Sequence, residues 1–258
     1  MTDIKVVELS NITVKYGETV ALSQIDLDIL DGEFVGVIGP NGSGKTTLLK
    51  LILGLLKPAS GKINIFGKQG RLKGRIRNKI GYIPQNPEID YYFPIKVIDV
   101  VMMGRFAKLG FFKNPTQKDK RIVIESLDKV GMLDYINTPF GHLSSGQQQR
   151  VSVARVLAQQ PTMLLLDEPT ANIDMGTQDV IIKLINEIHQ TKQITIFYVA
   201  HEINILTKYL DKIVCLNQSV YKIGHPKDVL NEEVLSNLYK VKVTMFPHNE
   251  HHFFLIGE

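Results

Sequence analysis

The eight residues Gly39-Pro40-Asn41-Gly42-Ser43-Gly44-Lys45-Thr46 constrain the fold of this chain more than any other feature. They fit G-x-x-x-x-G-K-[ST] and follow an apolar run, residues 33–38 (EFVGVI). After them, Leu48, Leu49, Ile52, Leu53 and Leu56 recur at three- and four-residue spacings. A buried strand entering a glycine loop and a helix leaving it is the setting in which such a loop works. The glycines let consecutive backbone N–H groups face one concavity, and the helix N-terminus adds a positive dipole end. Lys45 can then reach the β- and γ-phosphates of a nucleotide, and the Thr46 hydroxyl can ligate Mg²⁺. The helix is expected to run over residues 45–56, with Pro58 stopping it.

Around this unit the apolar pattern predicts strands at residues 5–9, 12–16 and 25–29, a hairpin-type turn at Asp31-Gly32, and a strand over 62–66. Residues 98–158 read as helices broken at Gly110, Pro115, Gly131 and Pro139. Beyond Pro161 the chain returns to strand 162–166, helix 178–189, strand 194–199, helix 203–209 and strand 212–216. Strands alternating with helices predict an α/β fold on a parallel sheet, with the helical middle inserted into it. One cysteine among 258 residues excludes an internal disulfide framework and a thiolate zinc cluster. No apolar run approaches the ~20 residues of a membrane span, and no apolar leader opens the chain, so a cytosolic soluble protein is expected. The net charge of +4 is too small to name a partner.

Met163, Leu164, Leu165 and Leu166 lead into Asp167 and Glu168. Neighbours on a strand point to opposite faces, so the two acids should do different work. Asp167 is a candidate Mg²⁺ ligand; Glu168 is the candidate base that orients and polarises an attacking water. A glycine loop and a carboxylate strand fit a hydrolase or a kinase equally well.

Leu143-Ser144-Ser145-Gly146-Gln147 narrows the choice. The pentapeptide resembles the LSGGQ signature of ATP-binding cassette (ABC) ATPases, and Gln147 lies 20 residues before Asp167, as in that family. Tyr16, Gln85, Asp174 and His201 fall in the family's order. The resemblance covers nearly the whole chain. It implies a P-loop NTPase with a RecA-like parallel-sheet core, an N-terminal antiparallel β subdomain and an inserted α-helical subdomain. On that basis residues 1–86 and 159–258 form the core, 87–158 the helical part, and 240–258 a short tail. The resemblance also implies ATP and Mg²⁺ as cofactors. It puts Tyr16 against adenine, residues Gly39 to Thr47 (Thr47 included) around the phosphates, and Thr46, Gln85 and Asp167 on Mg²⁺. Glu168, Gln85 and His201 would be catalytic. Ser144, Ser145, Gly146, Gln147 and Asp174 would serve the nucleotide held by a second copy, arranged head to tail. Ser145 departs from the usual Gly: it costs something if the position needs positive φ and is tolerated otherwise.

Phe93-Pro94-Ile95, Asp99-Val100-Val101-Met102-Met103-Gly104-Arg105 and Leu109-Gly110-Phe111-Phe112 resemble the ATPases of manganese, zinc and iron(-chelate) importers. That likeness implies an integral membrane permease as partner, an extracellular or periplasmic metal-binding protein acting through it, and no nucleic acid. It also implies a cytoplasmic location, peripheral on the inner face of the cell membrane. An exporter subunit or a soluble ABC ATPase would share the catalytic residues. The aromatic side chains of 91–112 pack in a core or line a groove for the permease. Residues 67–79 carry six cations and no acid, which suits a solvated connection, nucleic acid or lipid headgroups. His248, His251 and His252 are spaced to ligate Zn²⁺ or a similar borderline ion, with His248 and His251 on one face if the tail is helical; alternatively residues 253–256 form a short strand and the histidines are solvated.

Overall fold

Alternating apolar and polar residues build the first sheet. In the computed structural model, which describes residues 4–70, 72, 74, 76–85, 94–109, 113–171, 173–200, 204–248 and 251–256, β1 (Lys5–Tyr16) and β2 (Thr19–Leu30) form an antiparallel hairpin. Register shifts around Ile12 carry β1 unbroken through the gap expected between residues 9 and 12, as a β-bulge does. Val7, Leu9, Ile12, Val14, Leu22, Ile25, Leu27 and Ile29 are all buried, each contributing roughly 1.5–3 kcal/mol. The hairpin turns between Tyr16 and Thr19, which pair. Asp31-Gly32 is a turn but not a hairpin: it passes the chain to β3 (Phe34–Ile38), which belongs to a different sheet.

α1 (Lys45–Ile52) ends before Pro58 is reached. Gly54 adopts φ 72°, its N–H bonds Leu51 O at 2.9 Å, and Leu55 N–H bonds Lys50 O at 2.9 Å. Those two bonds form a Schellman cap, so glycine rather than proline stops the helix. β4 (Ser60–Ile65) pairs antiparallel with β1, and the short β5 (Lys68–Gln69) pairs with β4.

Two compact units are present, one of Met1–Lys73 with His189–Glu258 and one of Gly74–Ile188. The second holds β6 (Ile80–Ile83), α2 (Val97–Leu109), α3 (Gln117–Lys129), α4 (Ser145–Ala158), β7 (Met163–Asp167) and α5 (Met175–Lys192) up to Ile188. β6 and β7 run parallel. Backbones approach closely here: a Cβ at Gly104 of α2 would lie 2.0 Å from Arg155 O of α4. The next residue pins three helices. Arg105 donates to Asp119 Oδ1 at 2.9 Å and to Ala158 O at 2.7 Å, all of it buried. The Thr116 hydroxyl and amide, and then Arg105, hold the Asp119 carboxyl down at about 2. Because that value is depressed, the stabilisation is full above the ordinary carboxylate range and is lost as pH falls toward 2. Arg105→Ala should lower the unfolding free energy by about 3–5 kcal/mol, since it strands a buried charge. Urea unfolding at neutral pH checks this, and a loss below about 1 kcal/mol would be the behaviour of a surface pair instead.

In the first unit, β8 (Thr195–Val199) and β9 (Lys212–Asn217) flank β3 in parallel, and β10 (Ser219–Gly224) closes antiparallel on β9. β3 and β8 are buried along their whole length, as parallel strands covered on both faces must be. Burial pushes the thiol of Cys215 on β9 up to about 12. Instead of the helix expected at 203–209, the described residues make a turn and a 3₁₀ segment, Thr207–Tyr209. α6 (Pro226–Val229), α7 (Glu232–Tyr239), β11 (Val243–His248) and β12 (His251–Ile256) follow. β11 and β12 form a hairpin in which His248 pairs with His251, so the tail is not helical and the helical spacing of its histidines does not apply.

Candidate nucleotide site

In the first unit, β3 delivers the chain to Gly39 at the end of a buried strand. Gly39 has φ 156°, and a Cβ there would sit 2.0 Å from Leu216 O, so no side chain fits. Gly44 is the N-cap of α1 with φ 98° and no side-chain cap. A Cβ on it would meet Leu22 Cδ2 at 2.6 Å. No side chain therefore caps the helix N-terminus, whose N–H groups form an anion cradle. Lys45 is buried and its Nζ donates to Gly39 O at 2.8 Å and Pro40 O at 3.0 Å, which curls the ammonium over the loop. Among the described residues the buried Ser43 hydroxyl has no hydrogen-bond partner. An orphaned donor, an uncapped helix start and an ammonium over one loop fit a polyphosphate. Pro40 and Thr46 are half-buried, Thr47 buried, and Asn41 and Gly42 exposed. Tyr16 closes β1 at the hairpin tip with its ring exposed rather than packed. His201 lies outside the described residues.

In the second unit, the C-terminal ends of parallel β6 and β7 gather the acids. Asp167 is the last residue of β7 and is 2% exposed. Tyr82 O–H donates to Asp167 Oδ2 over a long 3.4 Å, and burial together with that carboxylate pushes the phenol well above its usual value. Tyr82 was not a candidate from sequence: only the pairing of β6 with β7 brings its hydroxyl to Asp167. Glu168 has left the strand. Its φ of 49° is left-handed, costing of order 1–3 kcal/mol for a residue other than glycine. The two acids therefore differ in environment through that backbone turn rather than through strand alternation. Gln85 Nε2 donates to Glu168 Oε2 at 2.6 Å, fixing one carboxylate oxygen and leaving the amide oxygen of Gln85 for another ligand.

Ser144 is the N-cap of α4 in a capping box: its Oγ accepts from Gln147 N–H at 3.3 Å, and its own N–H donates to Gln147 Oε1 at 2.9 Å. Ser145 is the first helical residue and has no positive φ, so a side chain is tolerated there. Gly146 is the position that needs glycine, because a Cβ would lie 2.4 Å from Thr177 Cγ2. Ser144 and Ser145 are exposed. Asp174 is exposed and caps α5, with Oδ1 accepting from Thr177 N–H at 2.9 Å; that bond holds its carboxyl below the usual range.

A protein-family model described as ABC transporter matches residues 22–171. The chain is 40% identical over 241 residues to the manganese transport system ATP-binding protein MntB of Halalkalibacterium halodurans, covering 93% of this chain and 94% of the relative. It is 38% identical to the zinc uptake system ATP-binding protein ZurA of Listeria monocytogenes, over 84% of each chain. Among solved structures, it superposes with a TM-score of 0.86 on an inward-facing ABC transporter assigned to the metal-chelate type, at 28% identity over 98% of both chains. Against the dimeric cassette MJ0796 the TM-score is 0.73, at 29% identity over 85% of this chain and 98% of that one.

Proposed function

The chain belongs to the ABC transporter family of ATPases, and on that premise we propose that it powers an importer of a transition-metal ion. The cargo is manganese, zinc or iron, free or chelated, and it crosses through a separate membrane permease. The observation that carries this is likeness to manganese and zinc uptake ATPases along nearly the whole chain. No helix among the described residues is long and apolar enough to cross a membrane, which fits a subunit that borrows its pathway from a partner. We assign it to the cytoplasmic face, with a metal-binding protein outside acting through the permease.

Bound MgATP would supply the transferable phosphoryl group and the metal charge that neutralises its oxygens. The backbone N–H groups of Gly39 and of residues 41–47 and the Lys45 ammonium would hold the phosphates, and the Ser43 hydroxyl would gain an acceptor. Thr46, Asp167 and Gln85 offer the hydroxyl, carboxylate and amide oxygens that Mg²⁺ prefers. Tyr16 presents its ring to adenine. Glu168, steadied by Gln85, takes the proton of the attacking water, and His201 orients Glu168 and the γ-phosphate. Ser144, Ser145, Gly146, Gln147 and Asp174 of a second copy complete the site in a head-to-tail homodimer. Support comes from the exposure of Ser144, Ser145 and Asp174, and from the likeness to a dimeric cassette. Residues 1–86 and 159–258 then act as the ATP-binding core and 87–158 as the permease-facing part.

Phe106 on α2 is 57% exposed, and Met103, one turn before it, is 42% exposed. Of the two uses considered for this aromatic, core packing is excluded. Phe106→Glu should therefore leave folding and basal ATPase activity intact and abolish co-purification with the permease. An unfolded variant, or one that still assembles, would remove Phe106 from that contact. Cells lacking the gene test the whole proposal: accumulation of one of Mn²⁺, Zn²⁺ or iron should fall and return with the wild-type gene but not with Lys45→Ala. Unchanged uptake of all three would refute metal import.

A further inference from the structure

Inside the second unit the first turns of α4 and α5 touch. A Cβ on Gly146, the second residue of α4, would lie 2.4 Å from Thr177 Cγ2 and 3.7 Å from Thr177 Oγ1. The methyl group of Thr177, third residue of α5, therefore faces the glycine. Gly146 has no positive φ, so what it supplies is room and not a backbone conformation. The same threonine holds the start of α5. Its N–H donates to Asp174 Oδ1 at 2.9 Å, and its amide and then its hydroxyl keep the Asp174 carboxyl below the usual range. With the hydroxyl drawn toward Asp174, a β-branched side chain has little freedom left for its methyl. Gln178 Nε2 donates to Ile173 O at 2.8 Å and ties the residue before Asp174 to the same turn. On α4 the capping box fixes Ser144 two residues before Gly146. Two exposed side chains, Ser144 and Asp174, thus sit on two helix starts that meet where the Thr177 methyl abuts Gly146. Close-packed contacts of this kind resist both added and missing carbons.

We propose that Thr177 is a positioning residue for the composite site: its methyl group is the spacer that sets Ser144 and Asp174 at the separation a second copy's nucleotide requires. Position 146 is then glycine to admit this chain's own Thr177, and not to admit the partner's phosphate. This role rests on the head-to-tail arrangement proposed above and gives it a residue that acts through others.

The test reads ATP-dependent dimerisation of the intact chain by light scattering in a Glu168→Gln background, with MgATP binding to the monomer measured beside it. Gly146→Ala should weaken dimerisation by roughly 10-fold or more, because the new methyl overpacks against Thr177. Thr177→Ser should weaken it a few-fold at most. Gly146→Ala/Thr177→Ser should recover most of the loss, since the added carbon takes the room of the removed one, a coupling that independent sites do not show. Gly146→Ala/Thr177→Val keeps a methyl toward α4 and should stay as weak as Gly146→Ala. MgATP binding to the monomer should be unchanged throughout. A double Ala/Ser variant as weak as Gly146→Ala would overturn the proposal, because the glycine would then be answering to the partner. Equal rescue by Val, or normal dimerisation of Gly146→Ala, would overturn it too. Loss of monomer binding in Gly146→Ala would make Thr177 a folding contact and overturn it as well. Ser144→Arg separates the two readings. If that variant still dimerises, the head-to-tail arrangement falls and this role with it; if it does not and Ser fails to rescue Ala, this role alone falls.

Discussion

Glu168→Gln should lower steady-state ATP hydrolysis by ~10² or more while MgATP still binds. The geometry isolates the lost charge. Gln and Glu have the same shape and face the same backbone strain at φ 49°, and the amide oxygen of Gln can still accept from Gln85 Nε2 as the carboxylate does at 2.6 Å. What disappears is the anion that would accept the proton of water. Bound nucleotide should then persist, and with it an ATP-dependent dimer in gel filtration. Phosphate release measured beside nucleotide binding decides the matter: near-normal turnover would remove Glu168 as the base, and loss of both would mean the site had collapsed.

Ser144→Arg should abolish ATP-dependent dimerisation and leave ATP binding to the monomer largely intact. Ser144 has two uses that must be separated. As the cap of α4 its hydroxyl contributes about 1 kcal/mol, which any residue without a short acceptor loses. As part of the proposed cradle it must leave room for the partner's γ-phosphate, which only the bulky side chain denies. Ser144→Ala therefore serves as control, matching the stability loss without filling the cradle. Light scattering with ATP and Glu168→Gln as background reads the outcome. Dimerisation that survives Ser144→Arg would make the head-to-tail arrangement wrong.

Much of the core was legible because it rests on short-range rules. The apolar run before Gly39, the alternation at residues 25–29 and the apolar strand ending in Asp167 each follow from burial of one or both faces of a strand. Elements whose limits are set by backbone geometry were less legible. Gly54 ends α1 through its left-handed conformation, while Pro58 looked like the stronger stop. Asp31-Gly32 had the composition of a hairpin turn, yet its flanking strands enter different sheets. Glu168 follows a strand pattern in sequence and leaves it in space. Contacts between elements could not be read at all: Gly146 is glycine because of Thr177, and Gly104 because of Arg155, partners with no marker in the chain. Whether Ser145 is tolerated turns on its φ, which the sequence does not carry; it is the first residue of a helix, where a side chain is ordinary.

Transport itself is the most direct measurement. The chain and its permease, reconstituted in vesicles with ATP confined to the lumen and this subunit on the luminal face, should accumulate Mn²⁺, Zn²⁺ or chelated iron inside, given the external metal-binding protein. Accumulation should require hydrolysable ATP and vanish with Glu168→Gln. Net export of metal, or accumulation indifferent to ATP, would contradict an ATP-driven importer.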